Sequence, residues 1–190
     1  MNGGKGSTIL LTIIAVATLL VAVVGATFAY FGATMNSGDA NTTIEVTSGT
    51  LSIEYDGNST LTGGNVNPGE QIASKNFSVT GVVTGSNNLN YEANLVVKNN
   101  TYSEGALVYT ITSNNTSNNG STIAATSEPV AIPTGTSTIS LGTGLFAGPT
   151  STGSTHSYTI TIEFVNTGGD QSADLGQAFE AQLSVTQTKK

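Results

Sequence analysis

The first part of the chain is a long apolar run. Residues 9–33 carry no charge, and 20 of these 25 residues are apolar. A helix rises about 1.5 Å per residue, so about 20 residues span the roughly 30 Å hydrocarbon core of a bilayer. Lys5 precedes the run and small residues end it at 25–29, which is the layout of a secretory signal peptide. The pattern predicts a hydrophobic helix over residues 1–29, which is either a signal peptide or a membrane anchor.

After residue 33 the apolar positions alternate with polar ones, which is the period of a half-buried β-strand. The clearest alternation predicts strands at Leu89–Val97, Tyr158–Phe164 and Phe179–Val185. Shorter apolar runs predict further strands at 44–46, 51–55, 77–79, 107–111, 123–132 and 139–141. We therefore expect an all-β domain over residues 44–190, built as an antiparallel jelly roll or β-sandwich of about eight strands.

Turn-forming residues separate the predicted strands. Asp56-Gly57 and Asn119-Gly120 favour tight hairpins, since both central residues of a type I′ turn need positive φ. Asn67–Glu70 favours a type II turn, in which the proline fixes φ and the glycine takes the positive φ. A change in the phase of alternation at Ser48-Gly49 predicts a β-bulge, and a short turn is expected near residues 172–176.

One stretch, residues 133–157, is rich in Thr, Gly and Ser and allows two interpretations. Its composition suits a linker. Leu141, Leu145 and Phe146 within it favour ordered edge strands or a long loop of the same domain.

Composition narrows the chemistry that the chain can perform. Its 190 residues contain no Cys, one His, and 5 Lys with no Arg against 12 Asp and Glu, which gives a net charge of −7. Without Cys there is no disulfide and no Cys-based zinc site, and one His cannot form a multi-His metal centre. An acidic chain repels phosphate, so no nucleic-acid partner is expected. We expect no cofactor and no enzymatic activity.

The polar residues that could form sites are predicted to have structural roles. His156 precedes a predicted strand without a second ligand beside it, so we expect it on the surface. Asp170 and Asp174 flank a Gly-rich turn without the spacing of an EF-hand, so we expect a solvated acidic turn. Glu45 and Glu54 lie on predicted strands, and nothing in the sequence marks a cleft between them. Four tyrosines are expected to pack in the core or across strands, namely Tyr55, Tyr91, Tyr109 and Tyr158.

Several segments of the chain resemble one protein family. Residues 25–31, Gly-Ala-Thr-Phe-Ala-Tyr-Phe, resemble the end of the signal peptides of the TasA and camelysin proteins, which are exported β-rich proteins of Firmicutes. Thr47–Ile53 resembles the family's first strand with its Gly-Thr-Leu-x-Leu pattern, and Pro68–Glu70 resembles its Pro-Gly-Asp turn. Residues 156–185 resemble the closing strands of related small exported proteins.

The resemblance implies an exported protein whose signal peptide is removed by a dedicated signal peptidase, with the junction within Thr27, Phe28, Ala29 and Tyr30. It also implies a jelly-roll subunit of extracellular fibres or biofilm matrix, in which each mature N-terminus completes the sheet of the next subunit. Camelysin-like members have been labelled metalloproteases, but this chain has no His-Glu-x-x-His, so that activity does not carry over. The expected partners are further copies of the chain, and the membrane during export or as an anchor.

The segment that follows the proposed junction has the pattern of a donated strand. If it is extended, Phe31, Ala33 and Met35 share one face, and the residues between them share the other. Strand donation needs such a segment near a free terminus, and each large apolar side chain contributes about 1.5–3 kcal/mol when it is buried. We therefore predict that residues 30–43 are a donor strand, the other interpretation being that they end the signal helix or form a tether.

Two other functions fit the same sequence. In the first, the chain is a pilin-like subunit that is cleaved at Lys5-Gly6 and keeps residues 7–33 as a helix in the filament core. In the second, it is a monomeric, membrane-tethered adhesion module that binds cell-envelope glycans or host surfaces and forms no polymer.

Overall fold

The structure, a computed structural model, describes residues 42–46, 49–115, 119–150 and 152–188. Ten strands account for most of them: β1 (Thr42–Val46), β2 (Gly49–Tyr55), β3 (Thr60–Gly64), β4 (Gln71–Val83), β5 (Leu89–Asn100), β6 (Leu107–Asn115), β7 (Val130–Ala131), β8 (Ser137–Phe146), β9 (Ser154–Phe164) and β10 (Ala178–Thr188). A single 3₁₀ turn, Ser172–Asp174, lies between β9 and β10. The prediction of an all-β domain is confirmed.

The strands form two antiparallel sheets. The six-stranded sheet has the order β1-β2-β4-β9-β6-β7, and the four-stranded sheet has the order β3-β10-β5-β8. Apart from the pairs β1–β2 and β6–β7, consecutive strands belong to opposite sheets. The chain therefore passes between the sheets at nearly every connection.

The core lies between the two sheets and follows from the alternation of the sequence. In β9 the buried side chains are every second one, from Ser154 to Phe164, and β5 shows the same pattern from Leu89 to Val97. Rings of the two sheets meet across the interface, since the ring centroids of Phe146 and His156 are 4.1 Å apart. Each sheet thus contributes one face to a common core, as in a sandwich.

The core of the described residues draws on both sheets. Its buried apolar members run from Leu51 to Val185 and come from both sheets. The strands predicted at Leu89–Val97, Tyr158–Phe164 and Phe179–Val185 all contribute to it. The described part of the body therefore has a core of its own.

Two glycines make room for aromatic rings in this core. A Cβ atom at Gly81 in β4 would lie 2.6 Å from Cγ and 2.7 Å from Cε2 of Phe146 in β8. A Cβ atom at Gly144 would lie 2.7 Å from Cε1 of Tyr91. Real Cβ atoms do not approach carbon this closely, so the rings fit only because these positions lack side chains.

Two of the predicted turns are confirmed. Gly69 has φ of 91° and Glu70 donates its N–H to the carbonyl of Asn67 over 3.0 Å, as a type II turn requires. The turn expected near 172–176 is the 3₁₀ turn Ser172–Asp174.

The other local predictions about turns are wrong. Asp56-Gly57 does not form a hairpin, because β2 and β3 lie in different sheets. Asn119-Gly120 does not form one either, because the next residue, Ser121, pairs with Leu145 of β8. The change of phase at Ser48-Gly49 is not a bulge but the reversal of a hairpin, in which Val46 pairs with Gly49.

The Thr-, Gly- and Ser-rich stretch is part of the domain and not a linker. Most of its first half is β8, which forms one edge of the four-stranded sheet. The strand predicted at 123–132 is reduced to the two residues of β7, because the rest of that segment is irregular. Ile123 and Ile132 are nevertheless fully buried, so the segment is held by its two ends.

The proposed cleavage junction and the donor residues lie outside the described residues. This applies to Thr27, Phe28, Ala29 and Tyr30, and to Phe31, Ala33 and Met35. The described part of the chain has no helix long and apolar enough to cross a membrane. β1 begins at Thr42, two residues before the start predicted for the body.

Candidate functional site

A chain of polar groups crosses the core and is the most unusual feature of the interior. The hydroxyl of Tyr91 in β5 lies 2.6 Å from Nδ1 of His156 in β9 and also contacts the hydroxyl of Tyr158. The other ring nitrogen of His156, Nε2, lies 2.9 Å from the carbonyl oxygen of Asn119. The N–H of Ile123 donates to the Tyr158 hydroxyl over 3.1 Å. We call these contacts the polar relay.

The direction of every hydrogen bond in the relay is fixed by its ends. The Asn119 carbonyl can only accept, so Nε2 of His156 carries the proton and Nδ1 of the neutral ring accepts. Tyr91 must then donate to Nδ1, and its oxygen accepts the proton of Tyr158. The oxygen of Tyr158 accepts from the N–H of Ile123. Each donor thus has an acceptor, which is what a buried polar network requires.

The relay is buried between the two sheets. His156, Tyr91 and Ile123 are fully buried, and the ring of Phe146 stacks on the imidazole. Desolvation by burial lowers the pKa of His156, against an opposing contribution from the Asn119 carbonyl. Burial also raises the pKa of the Tyr91 and Tyr158 hydroxyls. Burial therefore favours the uncharged form of all three groups.

The surface position predicted for His156 is wrong, and the core positions predicted for the tyrosines are confirmed. His156 occupies an inward position of β9 between Ser154 and Tyr158, so the period of the strand buries it. Tyr91 and Tyr158 are members of the core, as are Tyr55 and Tyr109. The sequence signal for His156 was the alternation itself, which places residue 156 on the same face as Tyr158.

A polar groove lies on the outer face of the six-stranded sheet. It has a volume of about 590 Å³ and is formed by β2, β4, β9 and β6. Strand pairing aligns its outward side chains in two rows, one of Glu54, Ser78, Ser157 and Asn114 and the other of Asp56, Asn76, Thr159 and Thr112. We call this feature the outer groove.

The groove offers hydrogen bonds but no apolar platform on its outward rows. Its side chains are two carboxylates, two carboxamides and four hydroxyls. Within it Thr159 donates its hydroxyl to Oδ1 of Asn76 over 2.7 Å. Such a surface suits a hydroxyl-rich, neutral ligand better than an apolar one. Glu54, which the sequence placed on a strand without a cleft, lies in this groove.

The acidic turn does not bring its two carboxylates together at a common ligand. Asp170 is exposed and accepts the N–H of Ser172, and this hydrogen bond lowers its pKa. Asp174 is buried and accepts the N–H of Ser103 over 2.6 Å. The prediction of a solvated acidic turn therefore holds for Asp170 and is wrong for Asp174, which anchors the 3₁₀ turn to the loop after β5.

The described residues contain no group of three or more His, Asp or Glu side chains placed to hold a metal ion. Glu45 lies in β1, which is not one of the four strands that form the outer groove and is four positions from β6 in the sheet order.

The outer edge of β8 is the third feature with a capacity to bind. β8 has ten residues and no charge, and its other edge pairs with β5. In the described part of the chain, the main-chain pairing on its outer side is that of Leu145 with Ser121, over two hydrogen bonds of 2.8 Å. An edge strand presents N–H and C=O groups that another strand can pair with.

Comparison of the sequence with models of known protein families finds no match, and comparison with curated proteins finds no match either.

Proposed function

We propose that the chain is an exported structural subunit that assembles into extracellular fibres or biofilm matrix. Each subunit donates a strand from the predicted segment 30–43 to the next, after cleavage within residues 27–30. Only residues 30–41 of that segment are available, because Thr42 and Thr43 pair with β2 of their own subunit. The body is then a jelly roll of the TasA and camelysin kind. The observation that carries the proposal is the edge strand β8, Ser137–Phe146, which is long and uncharged.

A strand edge of this length without charged side chains can pair with a further strand. Natural proteins usually block edges with charges, prolines or short strands, because an open edge pairs with other chains. Here no Asp, Glu, Lys or Arg occurs from Pro129 to Ile162. A bulge at Leu141 and the pairing of Leu145 with Ser121 are the interruptions that the described residues show. An added strand would gain main-chain hydrogen bonds along the remainder.

The proposed donor matches this edge in length and pattern. At about 3.3 Å per residue, residues 30–37 extend about 26 Å and β8 extends about 33 Å. Phe31, Ala33 and Met35 would continue the apolar layer that the half-buried Ile139 begins. The donor leads into β1 of the six-stranded sheet, while β8 borders the four-stranded sheet, so the two surfaces differ and the contact is head-to-tail. Such a contact builds an open filament when the rotation between subunits does not close a ring.

The experiment that tests the proposal starts from the secreted protein. We expect its N-terminal sequence to begin at Tyr30 or Phe31, and purified residues 30–190 to form filaments visible by electron microscopy and light scattering. A mature chain that begins at Ser7 would favour the pilin-like subunit instead. A chain from residue 30 that stays monomeric at all concentrations would contradict strand donation.

A second candidate function is supported by the outer groove. Its hydroxyl, carboxamide and carboxylate side chains suit hydrogen bonding to a cell-envelope glycan, as expected of an adhesion module tethered to the membrane. In that case the groove binds sugar in a monomer, and assembly is not needed.

Calorimetric titration with a soluble oligosaccharide of N-acetylglucosamine tests this second function. If the groove binds it, Asn114→Ala should weaken the affinity about fivefold to tenfold, the value of one lost hydrogen bond. Asn94→Ala, the same change on the outer side of the four-stranded sheet, should leave the affinity unchanged. Equal effects of the two substitutions, or no heat of binding, would exclude the groove as a site for this sugar.

A further inference from the structure

Residues 119–123, which we call the strap, cover one end of the β8 edge. Ser121 and Leu145 exchange two main-chain hydrogen bonds of 2.8 Å each. Gly120, with φ of 79°, lies so close to the Leu145 carbonyl that no side chain fits there. While the strap is in place, the main chain of Leu145 cannot pair with a strand from another molecule.

The polar relay holds both ends of the strap, and at the Asn119 end two further hydrogen bonds of 3.1 Å add to it, from Nδ2 to the Ser154 hydroxyl and from the Ala147 N–H to Oδ1. At one end the carbonyl of Asn119 accepts the Nε2 proton of His156, and at the other the N–H of Ile123 donates to Tyr158. His156 and Tyr158 are both on β9, in the sheet opposite β8. The relay therefore bonds the strap, which covers an edge of the four-stranded sheet, to β9 of the six-stranded sheet.

The donors and acceptors of the relay match only when His156 is neutral. An added proton on Nδ1 turns this atom into a donor toward Tyr91, which must then donate to Tyr158. The hydroxyl proton of Tyr158 is left without an acceptor, at the place where the N–H of Ile123 already points. Protonation thus leaves a buried charge and an unpaired buried donor, both of which are unfavourable.

Among the groups around the imidazole, the Asn119 carbonyl favours the charged ring, and burial outweighs it. Tyr91 faces it from β5, Phe146 from β8 and Asn119 from the strap. The residues opposite His156 in the neighbouring strands are Val79 in β4 and Asn115 in β6. No carboxylate or ammonium group of the described chain contributes to the shift of its pKa, which is downward and caused first by burial.

We propose that the strap is an acid-released cover: protonation of His156 frees the strap, and Leu145 then becomes available to the strand donated by another copy of the chain. The identity of the incoming strand rests on the proposed function. Release of the strap does not depend on that function. The sign follows from proton binding. With the strap closed His156 binds its proton only below the ordinary pKa of about 6.5, so acid favours the open form, and above that pH both forms are neutral.

Hydrogen exchange of the chain that starts at residue 38 tests the release without assembly, because this chain keeps the complete core. We expect the protection factors of the Ser121, Ile123 and Leu145 amides, corrected for intrinsic exchange, to fall about fivefold from pH 6.5 to 5.5. The Leu183 amide, which donates to the carbonyl of Ser59 over 2.8 Å and lies away from the strap, should change little. Equal protection at the two values of pH would overturn the proposal.

Two variants separate the relay from general acid effects. In His156→Gln the dependence of strap protection on pH should disappear, and its persistence would overturn the role of His156. If this variant does not fold, Tyr158→Phe serves, because it removes the acceptor of the Ile123 N–H. Ile123 should then exchange at least fivefold faster at pH 7.5, and unchanged exchange would show that the relay does not hold the strap.

Filament growth supplies the readout that distinguishes this inference from the proposed function. We expect the chain from residue 30 to assemble faster at pH 5.5 than at 7.5, and His156→Gln to lose this difference. If acid releases the strap but no filaments form at any pH, the acid-released cover is supported and the proposed function is contradicted. Filaments that grow at one rate at both values of pH, with a strap insensitive to acid, would overturn the cover alone.

Discussion

The chain that starts at residue 38, without residues 30–37, will stay monomeric under conditions in which the chain from residue 30 forms filaments. The deletion removes Phe31, Ala33 and Met35, whose burial contributes several kcal/mol at about 1.5–3 kcal/mol for each large side chain. It also removes the main-chain donors and acceptors that would pair with β8. Because the core runs from Leu51 to Val185, the truncated body should fold as before. Sedimentation velocity and electron microscopy measure the loss, and circular dichroism measures the fold.

A matched pair of substitutions tests which face of the donor is buried. Ala33→Asp places a carboxylate on the apolar face, and Thr34→Asp places the same group on the opposite face of an extended strand. We expect Ala33→Asp to abolish filaments, since an unpaired charge in the subunit contact is very unfavourable, and Thr34→Asp to retain them. Filaments formed equally by both variants, or by the truncated chain, would show that this segment is not the donor.

The uncharged edge of β8 and the acidity of the whole chain have to be considered together. The net charge is −7, yet residues 129–162 carry none of the charged side chains. Repulsion between copies is therefore weakest where this segment meets another chain, and strongest elsewhere on the surface. Such a distribution favours end-to-end contact at one edge over indiscriminate association.

Alternation predicted the strands that lie in the middle of the sheets. In β5, β9 and β10 buried side chains alternate with more exposed ones over nine residues or more, and the hydrophobic and polar residues of the sequence follow this alternation. β7 and the irregular segment before it were not predictable in this way. Ile123 and Ile132 are both buried without belonging to a long strand, so their hydrophobicity indicated burial but not conformation.

Turn residues predicted the local backbone conformation better than they predicted which strands pair. Gly57 and Gly120 both have positive φ, of 87° and 79°, as the Asp-Gly and Asn-Gly pairs suggested. Neither joins two paired strands, because the chain crosses to the other sheet after β2 and the strap follows β6. Which strands pair depends on contacts between distant segments, and a local signal carries no information about them.

His156 shows the same limit for a functional group. Its hydrogen-bonding partners are Tyr91, 65 residues away, and the carbonyl of Asn119, 37 residues away. A lone His beside polar neighbours suggests the surface when each residue is considered alone. Its place in the alternation of β9 was visible, but the polar partners that make burial tolerable become visible only when the two sheets are brought together.

Replacing Gly81 with Ala will lower the free energy of unfolding by about 1–3 kcal/mol, the usual effect of overpacking a core. The new methyl group would lie 2.6 Å from Cγ of Phe146. That ring cannot move aside, because it is fully buried and stacks on Tyr91 at 5.4 Å and on His156 at 4.1 Å. Urea denaturation followed by circular dichroism measures the change.

The same substitution at an open position separates the clash from the loss of a glycine. At Gly169 the nearest atom to an added Cβ is Oγ1 of Thr167 at 3.7 Å, which is ordinary contact, so Gly169→Ala should change stability by less than about 0.5 kcal/mol. Phe146→Leu removes ring atoms from the contact with Gly81. If the clash is the cause, the double variant Gly81→Ala with Phe146→Leu should be more stable than the sum of the two single effects implies, by about 0.5–2 kcal/mol. Two results would contradict this explanation: strict additivity of the two single effects, or a loss of stability for Gly169→Ala as large as that for Gly81→Ala. Either would mean that the ring of Phe146 does not limit the size of residue 81. The two sheets would then lie less close together at this point than in the structure.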